Sequence, residues 1–233
     1  MNKLYAILLT LCLGFATCYA QSDYRKSVTI FGDSYSTFEG YLEPDTNEVW
    51  YFKDHRIKDN DVAMVEQTWW HQLLKRKGWK LCKNNSYSGS TISNSGYRKE
   101  DYTPRAFTTR MDNLGNPDII FIFGATNDSW VPSPIGEYKW ENWTHEDCYA
   151  FRPALARMLD YMTKRYLNVE LYFILNSELS DDINKSTLTI CEHYGVPVIQ
   201  LHDIEKKAGH PSIAGMKAIA DQVDEFVTKA QKK

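Results

Sequence analysis

One serine and one histidine, far apart in the chain, have the types and settings of a nucleophile and its base. Ser34 follows the apolar run Val28–Phe31 and the dipeptide Gly32-Asp33, whereas His210 precedes a helical pattern near the other end. A buried strand that ends this way presents a hydroxyl at the carboxyl edge of an open α/β sheet, where such folds bind ligands. A histidine within reach of that hydroxyl can take its proton during attack on an ester carbonyl. The pair therefore predicts acyl transfer through serine.

The oxyanion that forms in such a reaction needs hydrogen-bond donors already in place. Gly89 follows the second predicted strand and has no side chain, so its backbone N–H can approach closely. Asn127 follows the third predicted strand and offers a side-chain amide, and the N–H of Ser34 is a third donor. Taken singly, Asp33-Ser34 also fits a helix cap, and Asn127-Asp128 also fits a turn. We favour the catalytic interpretation because all these signals fall at one edge of the sheet.

The elements that must position these residues alternate between strands and helices. Five apolar runs predict buried parallel strands. They are Val28–Phe31, Trp79–Cys82, Ile119–Phe123, Val169–Leu175 and Val196–Leu201. Helical patterns lie between them, so we expect an α/β fold, a three-layer α/β/α sandwich around a five-stranded parallel sheet.

Four helices are predicted from apolar spacing. The first carries Trp69, Trp70, Leu73 and Leu74 before Gly78, the second carries Phe151, Leu155, Leu159 and Met162, and the third covers Thr187 to Tyr194. The last helix is expected to have Pro211 in its first turn. Its buried stripe is predicted to be Ile213, Met216, Ala220, Val223 and Val227.

The first twenty residues resemble a secretory signal peptide. Lys3 precedes an apolar stretch, small residues end at Ala20, and no acidic residue occurs before that point. We expect residues 1–20 to be removed and residues 21–233 to form the hydrolase domain, exported to the periplasm or secreted. A lipoprotein anchor on Cys18 is the alternative. No later stretch resembles a membrane span.

Charge and cysteine content narrow the possible partners. Without residues 1–20 the chain has 26 basic and 30 acidic residues, a net charge of −4, which argues against nucleic acid as a partner. Cys82, Cys148 and Cys191 remain, so at least one thiol is expected to be free. Neither a CxxC nor an HExxH motif occurs, and we predict no metal and no cofactor.

Aromatic residues crowd the long connections that follow the first and third strands. The three long connections are Tyr35–Val65, Ser90–Pro117 and Ser129–Glu146. Long loops of this kind usually serve function, and amphipathic rings suit sugars or acyl groups. We expect Tyr35, Trp50, Asp128 and Trp130 to border a substrate cleft. The alternatives are that the rings fold the loops onto the domain, and that Asp128 braces its loop through backbone N–H groups.

In its motifs the chain resembles the SGNH (GDSL-type) hydrolase family. Gly32-Asp33-Ser34, Gly89, Asn127 and His210 look like the four blocks of that family, in the same order. The resemblance implies a flavodoxin-like sandwich and ester hydrolysis through an acyl-serine, without metal or cofactor. It also implies that Ser34 is the nucleophile, that His210 is the base, and that Ser34, Gly89 and Asn127 form the oxyanion hole.

Two positions depart from the family pattern. Ala125 stands where a glycine is usual, two residues before the asparagine block. Lys207 stands where an aspartate usually orients the histidine, and a lysine side chain cannot accept a hydrogen bond. The candidates for orienting His210 are Asp203, Glu205 and the backbone carbonyl near Lys207. We favour the carbonyl, and because it is uncharged we expect a slower enzyme.

Our leading hypothesis is an exported serine esterase that removes acetyl or another small acyl group from a carbohydrate. A small-molecule or carbohydrate ester is then the partner, and the sequence gives no oligomeric state. A lipid or lysophospholipid esterase is the alternative among enzymes. A non-catalytic binding module on the same fold is the alternative outside them, and Lys207 is its main support.

Overall fold

A five-stranded parallel sheet forms the centre of the structure, which is a computed structural model that describes residues 24–54, 59–131 and 133–231. The strand order is β2-β1-β3-β4-β5. The strands are β1 (Ser27–Gly32), β2 (Lys80–Asn84), β3 (Ile119–Gly124), β4 (Glu170–Leu175) and β5 (Val198–Gln200). This confirms the predicted fold class, although β2 lies slightly later in the chain than expected and β5 is shorter. The predicted signal peptide, residues 1–20, lies outside the described residues.

Strand β3 shows why the strands of the sheet could be predicted from apolar runs in the sequence. All six of its residues are buried. Ile119, Phe121 and Phe123 pack into one hydrophobic cluster, and Ile120 and Ile122 pack into the cluster on the opposite face. A parallel strand covered on both faces has no solvent side, so its sequence is apolar throughout.

Helices cover both faces of the sheet. On one face α1 (Trp69–Lys77) packs against α6 (Ile213–Ala230). On the other face lie α2 (Phe107–Arg110), α4 (Phe151–Arg165) and α5 (Asp181–His193), and the short α3 (Thr126–Trp130) follows β3. Gly78 ends α1 in the left-handed conformation with φ 64°, which suits glycine. Among the described residues, no helix is long and apolar enough to cross a bilayer.

Two helix starts differ from the predictions. Pro211 is not in the last helix, because Ser212 caps α6 by accepting a hydrogen bond from the Gly215 N–H at 3.1 Å. Ile213 is accordingly 38% exposed, whereas the other four residues of the predicted stripe are buried. Helix α5 begins at Asp181, six residues before the predicted start. Acidic residues favour a helix N-terminus, and apolar spacing does not reveal them.

A small antiparallel hairpin between β5 and α6 was not predicted. It consists of β6 (Lys206–Lys207) and β7 (His210–Pro211), with Lys207 paired to His210. The two turn residues, Ala208 and Gly209, have φ values of 51° and 72°. Positive φ at both positions is the requirement of the type I′ turn that closes two-residue hairpins.

The cysteines take no part in disulfides within the described chain. Cys82, Cys148 and Cys191 are all free thiols, and the last two are buried. The expected free thiol is therefore present, and the sandwich is held together without a cross-link between these residues.

Candidate active site

The position of Ser34 is set by the end of the central strand. Strand β1 lies between β2 and β3, and the Asp33 N–H donates to the Phe123 carbonyl at 3.2 Å. The Asp33 side chain then caps a 3-10 helix, Ser34–Ser36, by accepting from the Tyr35 N–H. A Cβ on Gly32 would lie 2.6 Å from the Ser36 hydroxyl, so only glycine fits there. Asp33 is thus a cap, and the helix that it caps begins with the serine.

His210 reaches Ser34 from the hairpin. Its Nε2 lies 2.8 Å from the Ser34 Oγ, although 176 positions separate the two residues. Its Nδ1 lies 3.1 Å from the Ala208 carbonyl oxygen. A carbonyl can only accept, so Nδ1 carries the proton and donates it to Ala208. Nε2 of the neutral ring is then the lone-pair nitrogen that accepts from the serine hydroxyl.

The group that orients His210 is a backbone carbonyl, as we favoured, but it belongs to Ala208 rather than to Lys207. The Lys207 carbonyl instead accepts from the Asn60 side chain at 3.1 Å. The carboxylate alternatives are engaged elsewhere. Asp203 pairs with His202 at the surface, and Glu205 accepts from the Ser212 hydroxyl. The tight turn explains why the acceptor is Ala208 and not Lys207, because the turn brings the carbonyl of its own first residue to Nδ1 of His210.

Aromatic rings enclose the imidazole of His210. Trp50 stacks on it with a centroid separation of 3.6 Å and an interplanar angle of 10°. Tyr35 and Tyr51 lie against it at 5.2 and 6.3 Å, and Trp130 lies edge-on at 5.9 Å. Burial lowers the pKa of His210 to about 4, opposed by the hydrogen bond to the Ala208 carbonyl. The ring is therefore neutral, and competent as a base, at neutral pH.

These contacts revise the predicted substrate cleft. Tyr35 is fully buried, and its hydroxyl donates to the Gly209 carbonyl at 2.8 Å. It supports the hairpin and does not border a cleft. Trp50 covers His210, as described above. Trp130 is 41% exposed and Trp50 is partly exposed, so these two rings, unlike Tyr35, lie at the rim of the site.

Asp128 is likewise not a cleft residue, because it is 1% exposed. Its carboxylate accepts from the Ile92 and Ser93 N–H groups at 2.7 and 3.0 Å, and from the Ser93 hydroxyl at 2.8 Å. Burial raises the pKa of Asp128 to about 6, and these donors oppose the shift. The carboxylate therefore links α3 to the loop after Gly89. This is the alternative in which Asp128 braces a loop through backbone N–H groups.

The predicted oxyanion donors flank Ser34 on both sides, since Gly89 follows β2 and Asn127 follows β3. Gly89 has φ 75°, a conformation that favours glycine. Within the described part of the chain, the backbone N–H groups of Ser34 and Gly89 donate to no other group. Asn127 uses one amide hydrogen on the Ser90 carbonyl at 2.9 Å, which leaves its second hydrogen free. The three donors predicted for the oxyanion thus each keep a hydrogen that the described residues do not use.

Tyr97, which sequence reasoning missed, fixes the orientation of that amide. Its hydroxyl donates to the Asn127 Oδ1 at 3.1 Å. Because the Ser90 carbonyl can only accept, Nδ2 must face Ser90 and Oδ1 must face Tyr97. No motif marks Tyr97, since it lies in a loop 30 residues before its partner.

A buried arginine, also missed, lies beneath the site. Arg110 donates to the Ser90 hydroxyl at 3.0 Å and to the Gly32 carbonyl at 3.4 Å. Burial raises the pKa of nearby Asp33 to about 7, and the Arg110 charge is among the effects that oppose it. Arg110 thereby connects the ends of β1 and of the Gly89 loop. Among the described residues, no group of three metal-ligating side chains is placed to hold an ion.

The chain is similar to known proteins over most of its length. A sequence profile of the family described as GDSL-like lipase/acylhydrolase matches residues 26–227. A crystal structure from Bacteroides ovatus ATCC 8483, assigned to the GDSL-like lipases, is 58% identical, with a TM-score of 0.87 over 88% of this chain and 99% of that one. A second such structure, from Bacteroides uniformis ATCC 8492, is 49% identical, with a TM-score of 0.86 over 88% and 96%.

More distant structures share the fold alone. A carbohydrate acetylesterase from Sinorhizobium meliloti is 12% identical, with a TM-score of 0.55 over 88% of this chain and all of that one. A comparison with curated proteins found no significant match. The match of the profile over most of the chain, together with the two Bacteroides structures, shows that this chain belongs to the GDSL-like lipase/acylhydrolase family.

Proposed function

We propose that this protein is a serine esterase that removes a small acyl group, acetyl in particular, from a carbohydrate. The observation that carries the proposal is the 2.8 Å contact between the Ser34 hydroxyl and Nε2 of a neutral His210. The backbone N–H groups of Ser34 and Gly89 and one amide hydrogen of Asn127 are also unused by the described residues. A binding module has no need of this combination.

In the proposed reaction, Ser34 Oγ attacks the ester carbonyl while His210 Nε2 takes the hydroxyl proton. The carbonyl π electrons move to oxygen, and the three donors stabilise the resulting oxyanion. When the tetrahedral intermediate collapses, the C–O bond to the alcohol breaks and Nε2 returns the proton to the leaving alcohol. A water molecule then repeats the sequence on the acyl-serine, which releases the carboxylic acid and restores both residues.

A small acyl group agrees with the crowding of the site. Ser34 and His210 are only 2% and 5% exposed, and aromatic rings close around the histidine. A long acyl chain would need an apolar trough that reaches the serine.

A groove beside the hairpin, whose lining includes neither Ser34 nor His210, is the proposed site for a polar alcohol. This groove, of about 630 Å³, lies at the carboxyl ends of β4 and β5 and adjoins β6 through Glu205. Eight of the eleven residues that line it are polar. The polar residues are Asn176, Ser177, Glu178, Asn184, Gln200, His202, Asp203 and Glu205. Such a lining suits hydroxyl groups better than lipid. The carbohydrate acetylesterase on the same fold agrees with this choice.

The test is hydrolysis of an activated acetyl ester and labelling by a fluorophosphonate, each compared with Ser34→Ala. We expect the wild-type protein to do both, and the variant to lose at least about 10³-fold in rate and all labelling. Equal behaviour of the two proteins would leave a binding module. A series of acyl esters of rising length should show activity falling beyond acetyl, and a rise towards long chains would indicate a lipid esterase instead.

We also propose that the protein is exported after removal of residues 1–20, with residues 21–233 as the mature domain. The support is the basic, apolar and small-residue pattern of that segment. The mass of the protein isolated from cells that express the full chain tests this. A mature chain that begins at Gln21 is expected, and a full-length chain retained in the cytoplasm would contradict it.

A further inference from the structure

The imidazole of His210 gains a full positive charge during each proton transfer, yet no carboxylate contacts it among the described residues. The titratable side chains against the ring are Ser34, Tyr35 and Tyr51, which are neutral at neutral pH. Lys207, on the other hairpin strand, points its ammonium to Asp61 at 2.6 Å. The Ala208 carbonyl fixes the tautomer, but it carries no charge to balance the imidazolium.

The face of Trp50 occupies the position from which such a charge can be stabilised. The two rings are nearly parallel and their centroids are 3.6 Å apart. A cation within about 6 Å of an aromatic centroid is attracted by the negative face of the ring, and indole is the strongest of the protein rings in this respect. The attraction increases where water is excluded, and His210 is almost fully buried.

The main chain holds Trp50 in this position from the serine side. The Trp50 N–H donates to the Thr37 hydroxyl at 2.9 Å, and that hydroxyl donates to the Ser34 carbonyl at 3.0 Å. The next residue, Tyr51, donates from its hydroxyl to the Pro211 carbonyl at 3.0 Å. The indole is therefore tied both to the nucleophile segment and to the hairpin, which keeps the stack aligned.

The indole is oriented by its stack on His210 and by packing against the hydrophobic cluster on that face of the sheet. Its buried Nε1 has no hydrogen-bond partner among the described residues. An indole kept only to pack the loop would gain by pairing this N–H, because an unpaired buried donor costs free energy. The structure instead keeps the ring flat on the imidazole.

We propose that Trp50 is a positioning residue whose π face stabilises the His210 imidazolium, in place of the carboxylate that is missing beside this histidine. The proposal rests on the proposed esterase function, since the charge arises in that reaction. This role adds to the predicted one, in which Trp50 borders the substrate cleft.

The test replaces Trp50, by site-specific incorporation, with tryptophans that carry increasing numbers of ring fluorines. Fluorine weakens the negative face and leaves the shape of the ring almost unchanged, so folding and burial are preserved. We expect kcat for the activated acetyl ester to fall with each fluorine, by roughly 2- to 30-fold over the series. The pKa of His210, followed by NMR of its ring carbon, should fall in the same order because the cation is less stabilised.

The matched control is the same fluorination at Trp79. This residue precedes β2 at the amino ends of the strands, away from Ser34, so its fluorination should change neither kcat nor the pKa of His210. In addition, Trp50→Phe should retain more activity than Trp50→Leu. A flat series at Trp50 in both kcat and the His210 pKa would overturn the proposal. The NMR titration needs no turnover. Thus an inactive wild-type protein would refute the esterase function, while the pKa trend would still decide the role of Trp50.

Discussion

The two halves of the site are held by different kinds of structure. Ser34 lies at the end of β1, between two neighbouring strands, and its position follows from main-chain hydrogen bonds and a cap. His210 lies on a hairpin with two residues in each strand. That hairpin is held by side chains, which include Tyr35, Tyr51 and Asn60 from the long first loop.

The difference shows what the long first loop contributes. Its aromatic residues were expected to contact substrate or to fold the loop onto the domain. Tyr35, Trp50 and Tyr51 all contact the ring of His210, and Asn60 donates to the Lys207 carbonyl. The nucleophile therefore depends mainly on the sheet, whereas the base depends on the packing of a loop from the other end of the chain.

The largest effect is expected on the serine side, from Asn127→Ala. This change removes an oxyanion donor and should lower kcat by roughly 10²- to 10³-fold with little change in KM. Steady-state kinetics with an activated acetyl ester measure both constants, and thermal unfolding checks that the variant is folded. A loss of only two- or three-fold would mean that the backbone donors suffice.

On the histidine side, Ala208→Pro should lower kcat by about 10²-fold, because a misplaced base loses alignment with the serine. Proline fixes φ near −65°, which is incompatible with the observed 51°. The control is Asp203→Asn, a change at an exposed residue, which should behave as wild type. If Asp203→Asn lost as much activity, a carboxylate would orient His210 in solution.

The pH dependence probes the burial of the histidine half. The pKa of His210 is lowered from 6.5 to about 4, and the neutral ring is the active form. Activity should therefore persist as the pH falls and be lost only through about pH 4. At pH 5 the protein would keep roughly 30-fold more kcat/KM than with an unshifted histidine. An acid limb near 6.5 would show that hydration of the ring, or stabilisation of its cation by Trp50, offsets the burial.

The smallest effect is expected from Tyr97→Phe, which removes the hydroxyl that orients the Asn127 amide. One neutral hydrogen bond suggests a fall in kcat of roughly 2- to 10-fold. Because Tyr97 acts through Asn127, adding this change to Asn127→Ala should cost nothing further. Fully additive losses in the double variant would assign Tyr97 a separate role.

The contrast between the halves also explains what the sequence could predict. The parallel strands were predictable because β3 and its neighbours are buried on both faces. Ser34, Gly89 and Asn127 were predictable because each lies within five residues of the end of a strand. Those positions depend on local sequence and on the order of the strands.

The surroundings of His210 were harder to predict from the sequence because their contacts join segments that are far apart in the chain. His210 was identified, but its acceptor, Ala208, depends on a two-residue turn that has no apolar pattern. The Ala-Gly dipeptide was the one available signal, and alanine seldom adopts positive φ. The same conformation occurs at Ala125, with φ 74°, which explains why glycine is usual there. Trp50, Tyr97 and Arg110 act through tertiary contacts that spacing does not encode.

The hairpin has a consequence for biosynthesis. A nascent chain that ends before residue 206 already contains Ser34, Gly89 and Asn127, but it lacks the imidazole that is proposed to activate the serine hydroxyl. His210 is residue 210 of 233 and comes immediately before the helix that packs against α1. In the proposed reaction, hydrolysis must therefore wait until the hairpin has formed, and the appearance of activity during refolding should report the docking of residues 206–231.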